Sequence, residues 1–217
     1  ATLLAPKARA LADAGLDRVN VSLDSLDPDR YRAITRTGSL DDALAGLAAA
    51  REAGLGPVKV NAVLMGGVNE ADIRPLAGLA RDGAVASVRF IELMPIGEGR
   101  NVQFLPAEAV LESNPYLRPL EGSGVARRYR SPGGRGTVGL IEPMSHRFCG
   151  ECDRIRVTAD GKLKPCLHSD QEIPLRGLHG EELRQAMRDG VAAKPQRHHM
   201  NETGRSEAGR NMHQIGG

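Results

Sequence analysis

The residues best equipped for chemistry are Cys149, Cys152 and Cys166. They are all the cysteines in the chain, and they fall together in FCGECDRIRVTADGKLKPCL, residues 148–167. A CxxC turn brings two sulfurs toward one metal. Asp160-Gly161 is a hairpin-turn pair, and a turn there returns Cys166 beside the strand that follows Cys152. Three thiolates then converge on one end of a hairpin. A zinc site closed by protein needs a fourth ligand, and His146 or His168 stands near enough in sequence to supply it. A cubane iron–sulfur cluster held by three cysteines keeps one iron without a protein ligand, and that iron can take a substrate atom. Spacing alone leaves both readings open.

Arg154 and Arg156 come directly after Cys152. Residues two apart on a strand project from the same face, which puts both guanidiniums next to the metal. Such a pair suits a polyanion or an electron-rich heterocycle.

Three strand-like stretches in the first half have polar residues on one face. In VNVSLDS (19–25), Val19, Val21 and Leu23 oppose Asn20, Ser22 and Asp24; in VKVNAVLM (58–65), Val58, Val60, Ala62 and Leu64 oppose Lys59 and Asn61. Parallel strands covered on both sides are apolar on both faces, and a filled barrel packs its lumen with branched apolar side chains. These strands do neither, which points to a lumen lined by polar groups around a ligand; the plainer reading is that Asn20 and Asn61 satisfy nearby backbone. Lys59 at a strand centre suits a bound anion, or else a strand edge where the ammonium reaches water. In SVRFIELMP (87–95), Arg89 and Glu92 fall on opposite parities, so a bulge or strand end intervenes or they face different partners.

Helical patterns precede and separate these strands: Leu3 to Gly15 before the first, then the Ser39-capped SLDDALAGLAAAREAGL, and EADIRPLAGLARDGA with Pro75 in its first turns. Strand, helix, strand, helix, strand implies α/β architecture with parallel pairing. Three strands would leave both sheet edges unpaired, as in the back half of a barrel. Near residue 99 the pattern changes, with glycine and proline becoming frequent. RGTVGLIEPMS and RIRVTADGKLKPCL have antiparallel character, and a helix, EELRQAMRDGVAAKP, leads to a polar tail ending in Gly216-Gly217. The expected domains are therefore 1–99 and 100–217.

Composition narrows the function classes. The 217 residues carry a net charge of +2 with 41% hydrophobic and 3% aromatic content, a poor match to a nucleic-acid or anionic-membrane binder. No apolar run approaches the ~20 residues of a membrane span. Clustered cysteines in a chain of this size fit a metal in a reduced, cytoplasmic compartment better than a disulfide framework.

CGECDRIRVTADGKLKPCL, together with VNVSLDS, VKVNAVLMGGVN, RFIELMPIG, KPQRHHMNE and a terminal IGG, resembles the GTP 3',8-cyclase family of molybdenum cofactor biosynthesis. The resemblance runs in order over essentially the whole chain. It implies the C-terminal half of a (βα) radical SAM barrel plus a C-terminal α+β iron–sulfur domain. It also implies that Cys149, Cys152 and Cys166 hold a [4Fe-4S] cluster whose open iron meets guanine. By the same resemblance, Lys59, Arg154, Ile155 and Arg156 contact GTP, Ser22 and Met94 contact S-adenosylmethionine, and Arg89 is an active-site group. Gly216 and Gly217 form a tail reaching the reacting centre, and His198 and His199 match a family segment without a role of their own. The implied partners are GTP, a downstream cyclic pyranopterin monophosphate synthase and a second copy in a homodimer.

The CxxxCxxC motif that holds the family's radical-generating cluster is absent from these residues. A second cluster is therefore expected in a preceding half-barrel, and the chain as given is expected not to cleave S-adenosylmethionine. The rival readings are a non-catalytic zinc-ribbon protein presenting Arg154 and Arg156 to nucleic-acid phosphates, and a pseudoenzyme that binds GTP.

Overall fold

The structure is a computed structural model that describes residues 1–122, 124–210 and 214, the side chain of Asn201 excepted. In chain order its elements are α1 (Ala8–Asp13), β1 (Asn20–Ser22), α2 (Pro28–Thr35), α3 (Leu40–Glu52), β2 (Lys59–Leu64), α4 (Ile73–Arg81), β3 (Ser87–Glu92), α5 (Glu108–Ser113), β4 (Arg118–Leu120), β5 (Arg127–Arg130), β6 (Thr137–Ile141), β7 (Arg156–Val157), β8 (Lys162–Lys164), β9 (Ile173–Pro174), α6 (Gly180–Ala192) and α7 (Met200–Thr203). They form two compact units, Ala1–Leu93 with Gln103–Ser145 and Met94–Val102 with His146–Gly217. Where the sequence suggests one break near residue 99, the chain passes between units at three places.

The helices of the first unit start where local chemistry dictates. Asp27 accepts from Arg30 N ahead of α2, with Pro28 at the first helical position, and Ser39 accepts from Asp42 N ahead of α3. Gly54, at φ +80°, ends the α3 segment. α3 and α4 return the chain so that β1, β2 and β3 lie parallel, with Asn20 beside Lys59, Ser22 beside Asn61, and Asn61 beside Arg89. Val21, Val60, Ala62, Leu64, Val88 and Phe90 face a core shared with Leu47, Ile73 and Leu76.

The far edge of β3, which three strands alone would leave open, is paired by β6. That strand runs parallel to β3 and antiparallel to β5, giving the order β1-β2-β3-β6-β5-β4. The antiparallel character read in RGTVGLIEPMS is thus true of only one side of β6. Burial of Val138 and Leu140 in the core fixes its place in the parallel sheet.

In the second unit, β7, β8 and β9 form an antiparallel sheet. Its first turn has Gly161 at φ +78°, with Gly161 N donating to Thr158 O and Thr158 N to Lys162 O, both at 2.9 Å. Here the predicted Asp160-Gly161 hairpin forms. β7 begins only at Arg156, so Arg154 precedes the strand rather than sharing its face. The β7–β8 register ends at Arg156–Lys164, and the next residue on the partner side is Pro165, which has no N–H to continue the ladder. α6 packs on this sheet through Gly190, where a Cβ would collide with Leu163 Cδ2 and lie 3.1 Å from Ile173 Cδ1.

Candidate functional site

The alternation read from sequence becomes a polar surface in the first unit. Lys59, Asn61 and Arg89 are half-buried between fully buried apolar neighbours, while Asn20 and Ser22 are exposed. The asparagines do not behave as backbone satisfiers. Asn20 Oδ1 accepts from Arg89 Nη2 at 2.9 Å, across the intervening β2. Asn61 Oδ1 is buried with no hydrogen-bond partner among the described residues, and a buried acceptor in that state is costly unless something else occupies it. Asp24 differs from its neighbours: its Oδ1 accepts from Val63 N at 2.7 Å and its Oδ2 from Ser22 Oγ at 3.4 Å. Burial raises its pKa above the ordinary carboxylate value, partly offset by these hydrogen bonds.

Arg89 and Glu92 face different partners, with no bulge. The β2–β3 register runs unbroken from Lys59–Ser87 to Leu64–Glu92. Glu92 is fully buried on the core side, and its carboxylate accepts from Ala107 N (3.1 Å), Met144 N (3.0 Å), Ser145 N (2.9 Å) and Ser145 Oγ. It fastens the segments on either side of β4–β6 to the end of β3.

In the second unit, Cys149 and Cys152 stand at the two ends of the 3-10 turn, with Cys152 N donating to Cys149 O at 3.2 Å, and Cys166 follows β8. All three are free and half-buried. Among the described residues, the one set of three such ligand atoms mutually within 4.8 Å is Glu92, Glu108 and Glu142 in the first unit; those acids are occupied by backbone donors and Arg127. Cys149, Cys152 and Cys166 do not form such a set. His146 is exposed. His168 is buried, its Nδ1 lying 3.4 Å from Ser206 Oγ and its ring edge-on to His198 at 5.0 Å. Burial first, then His198 and Arg156, lowers the His168 pKa to about 4.

A cavity of about 280 Å³ borders Cys166, His168, His198, Arg197 and Arg205. Arg154 is exposed, Ile155 and Arg156 are half-buried beside the cysteines, and Met94 is half-buried, its carbonyl accepting from Ile96 N. Gly216 and Gly217 lie outside the described residues. Sequence reading missed Lys194, whose Nζ lies 3.6 Å from Cys152 Sγ; its one sequence signal was rarity, as one of five lysines.

Comparison with known proteins defines the class first. Residues 1–80 match the Radical SAM superfamily and residues 86–200 match Molybdenum Cofactor Synthesis C. Curated proteins named GTP 3',8-cyclase then give the family. The protein from Alkaliphilus oremlandii is 45% identical over 99% of this chain and 69% of its own length. That from Heliobacterium modesticaldum is 46% identical over 99% and 70%, and that from Moorella thermoacetica 46% over 96% and 68%. The chain belongs to the GTP 3',8-cyclase family. No helix among the described residues is long and apolar enough to cross a membrane.

Proposed function

We propose that this chain acts in the conversion of GTP to 3',8-cyclo-7,8-dihydroguanosine triphosphate. In this reading residues 1–99 form the C-terminal half of a radical SAM barrel, residues 100–217 carry a three-cysteine [4Fe-4S] cluster, and the product passes to a cyclic pyranopterin monophosphate synthase. Family membership supports the reaction. The observation that carries the assignment of the site is the set of three free, half-buried thiols on one hairpin, beside Arg154 and Arg156. Soft thiolates suit iron–sulfur ligation. When bound, such a cluster supplies one iron without a protein ligand, open to an electron-rich atom of the purine.

The chain's own residues do the positioning. Lys59, Arg154 and Arg156 bring positive charge to a triphosphate. Arg89, tethered by Asn20, presents its guanidinium from the polar face of the sheet. Ser22 and Met94 serve S-adenosylmethionine, and Ile155 packs against the nucleotide between its two arginines. Fixed groups of this kind accelerate radical chemistry mainly by holding reactants in geometry.

The test is anaerobic reconstitution of the chain with iron and sulfide. Expected are about four irons and four sulfides per chain, as for one cubane, with a reduced-state magnetic spectrum perturbed by GTP. A colourless protein holding one zinc, or a cluster spectrum indifferent to GTP, overturns the reading.

A further inference from the structure

Against the cysteines of the hairpin stands a cation that the family assignment leaves without a role. Lys194 follows the C-terminal end of α6, and its half-buried side chain turns toward the hairpin. Its Nζ donates to Arg154 O at 2.6 Å and to Pro165 O at 3.2 Å, and lies 3.6 Å from Cys152 Sγ. An ammonium has three donors and no acceptor, so all three are matched, each by an atom on a cysteine or within two residues of one. Arg154 lies two residues past Cys152, and Pro165 directly precedes Cys166. One side chain therefore ties the CxxC turn to the strand that delivers the third sulfur.

We infer that Lys194 is a positioning residue for the cluster: it holds Cys152 in the ligand set and biases the cluster toward its reduced state. The inference rests on the reading that the three cysteines bind a [4Fe-4S] cluster. Two physical effects carry it. A cation hydrogen-bonded to a ligand sulfur stabilises the extra negative charge that reduction places on iron and sulfur, and hydrogen bonds to sulfur are a principal control of cluster potential. The two carbonyl bonds hold that cation in place, so its field on Cys152 is fixed rather than averaged over rotamers. If the side chain served only to clip the two carbonyls together, a neutral donor would serve as well and the cluster's midpoint would not depend on the charge.

The experiment compares the reconstituted chain with Lys194→Met, Lys194→Gln and Lys194→Arg, measuring iron, sulfide, circular dichroism and the midpoint of cluster reduction by electron paramagnetic resonance. The Met variant is expected to favour the oxidised cluster by at least tenfold, a fall of about 59 mV for one electron, or to lose iron while its circular dichroism is unchanged. The Arg variant, which keeps charge and donors, is expected to recover iron content and most of the midpoint. If the Met variant fails to fold, the Gln variant, which keeps a donor for the carbonyls and drops the charge, is held to the same criteria. A folded Met or Gln variant with full iron and an unchanged midpoint overturns the inference. A parent chain that binds no iron and sulfide overturns the cluster reading instead, so the two failures are distinguishable.

Discussion

Arg89 on β3 reaches over β2 to donate a 2.9 Å hydrogen bond from Nη2 to Oδ1 of Asn20 on β1. The space for its stem comes from Gly139, its register partner on β6, where a Cβ would lie 3.2 Å from Arg89 Cγ and 3.5 Å from Ala126 Cβ. Asn20→Ala removes the tether but little packing, and a solvent-accessible bond contributes about 1 kcal/mol or less to folding. GTP affinity measured by calorimetry is expected to fall about three- to tenfold in this variant, about 0.6–1.4 kcal/mol, with an unchanged melting temperature. Gly139→Val is expected to reproduce the affinity loss by pushing Arg89 aside. Wild-type affinity in both variants would remove Arg89 from the nucleotide site.

Glu92 gives a stability experiment that does not depend on the ligand. Three backbone N–H groups and the Ser145 hydroxyl converge on one fully buried carboxylate. Glu92→Ala leaves these donors without their acceptor, and buried groups stranded in this way cost about 1–3 kcal/mol each. Some of that is recovered as water enters the space. Urea unfolding is expected to show a loss of about 3–5 kcal/mol, in line with breaking other buried charged networks. Glu92→Gln, which keeps one carbonyl acceptor, is expected to lose less than Ala. A loss under 1 kcal/mol for Glu92→Ala would show that the hub is dispensable.

Backbone proximity sets a third expectation. A Cβ at Gly136 would meet the carbonyl oxygens of Val85, Ala80 and Ala86 at 2.7, 2.8 and 2.9 Å. Carbonyls held in the sheet and helix end cannot step aside as a flexible side chain can. Gly136→Ala is therefore expected to destabilise by about 1–3 kcal/mol, the usual range for overpacking a close site. Gly150→Ala, at a position open around its Cβ, serves as the control with a near-zero change. Equal unfolding midpoints for the two variants would contradict this account of the β3–β6 edge.

Much of this organisation was legible in the sequence because period and burial agree. The two-residue alternation of Val60, Ala62 and Leu64 against Lys59 and Asn61 is the burial pattern the structure displays, and the Ser39 cap and Asp160-Gly161 turn act through local chemistry alone. What escaped depends on contacts distant in sequence. Nothing near Thr137–Ile141 announces that this strand completes the open edge of β3, since pairing partners lie 50 residues apart. Glu92 reads as an acid of the wrong parity until the donors at 107, 144 and 145 are brought to it. Lys194 is an ordinary helix-end cation until the hairpin carbonyls stand beside it. The cysteine triad was visible through its spacing, whereas the 3-10 turn that carries its first two members is visible only in the fold.

Arg210 sets the acid behaviour of the second unit. Its guanidinium binds Glu172 through two nitrogens and Asp160 at 2.8 Å, with Lys162 adding a 3.0 Å bond to Glu172. The Arg210 hydrogen bond, followed by that of Lys162, lowers the Glu172 pKa from 4.5 to about 2, and Asp160 is held low by Arg210 first and Thr158 next. Folding thus disfavours protonation of both acids. Their contribution is complete above the ordinary carboxylate range and is lost as pH falls below that range through the lowered folded values, about 2 for Glu172. Arg210→Met removes the largest cause of both shifts. Carboxyl carbon resonances should then place Glu172 above 2 and closer to 4.5, and the urea midpoint should vary less between pH 5 and 2 than in the parent. Stability at neutral pH should also fall, since the favoured charged pairs are gone. Parallel pH profiles for parent and variant would show that the Arg210 contacts contribute nothing to folding in solution, as many exposed ion pairs do.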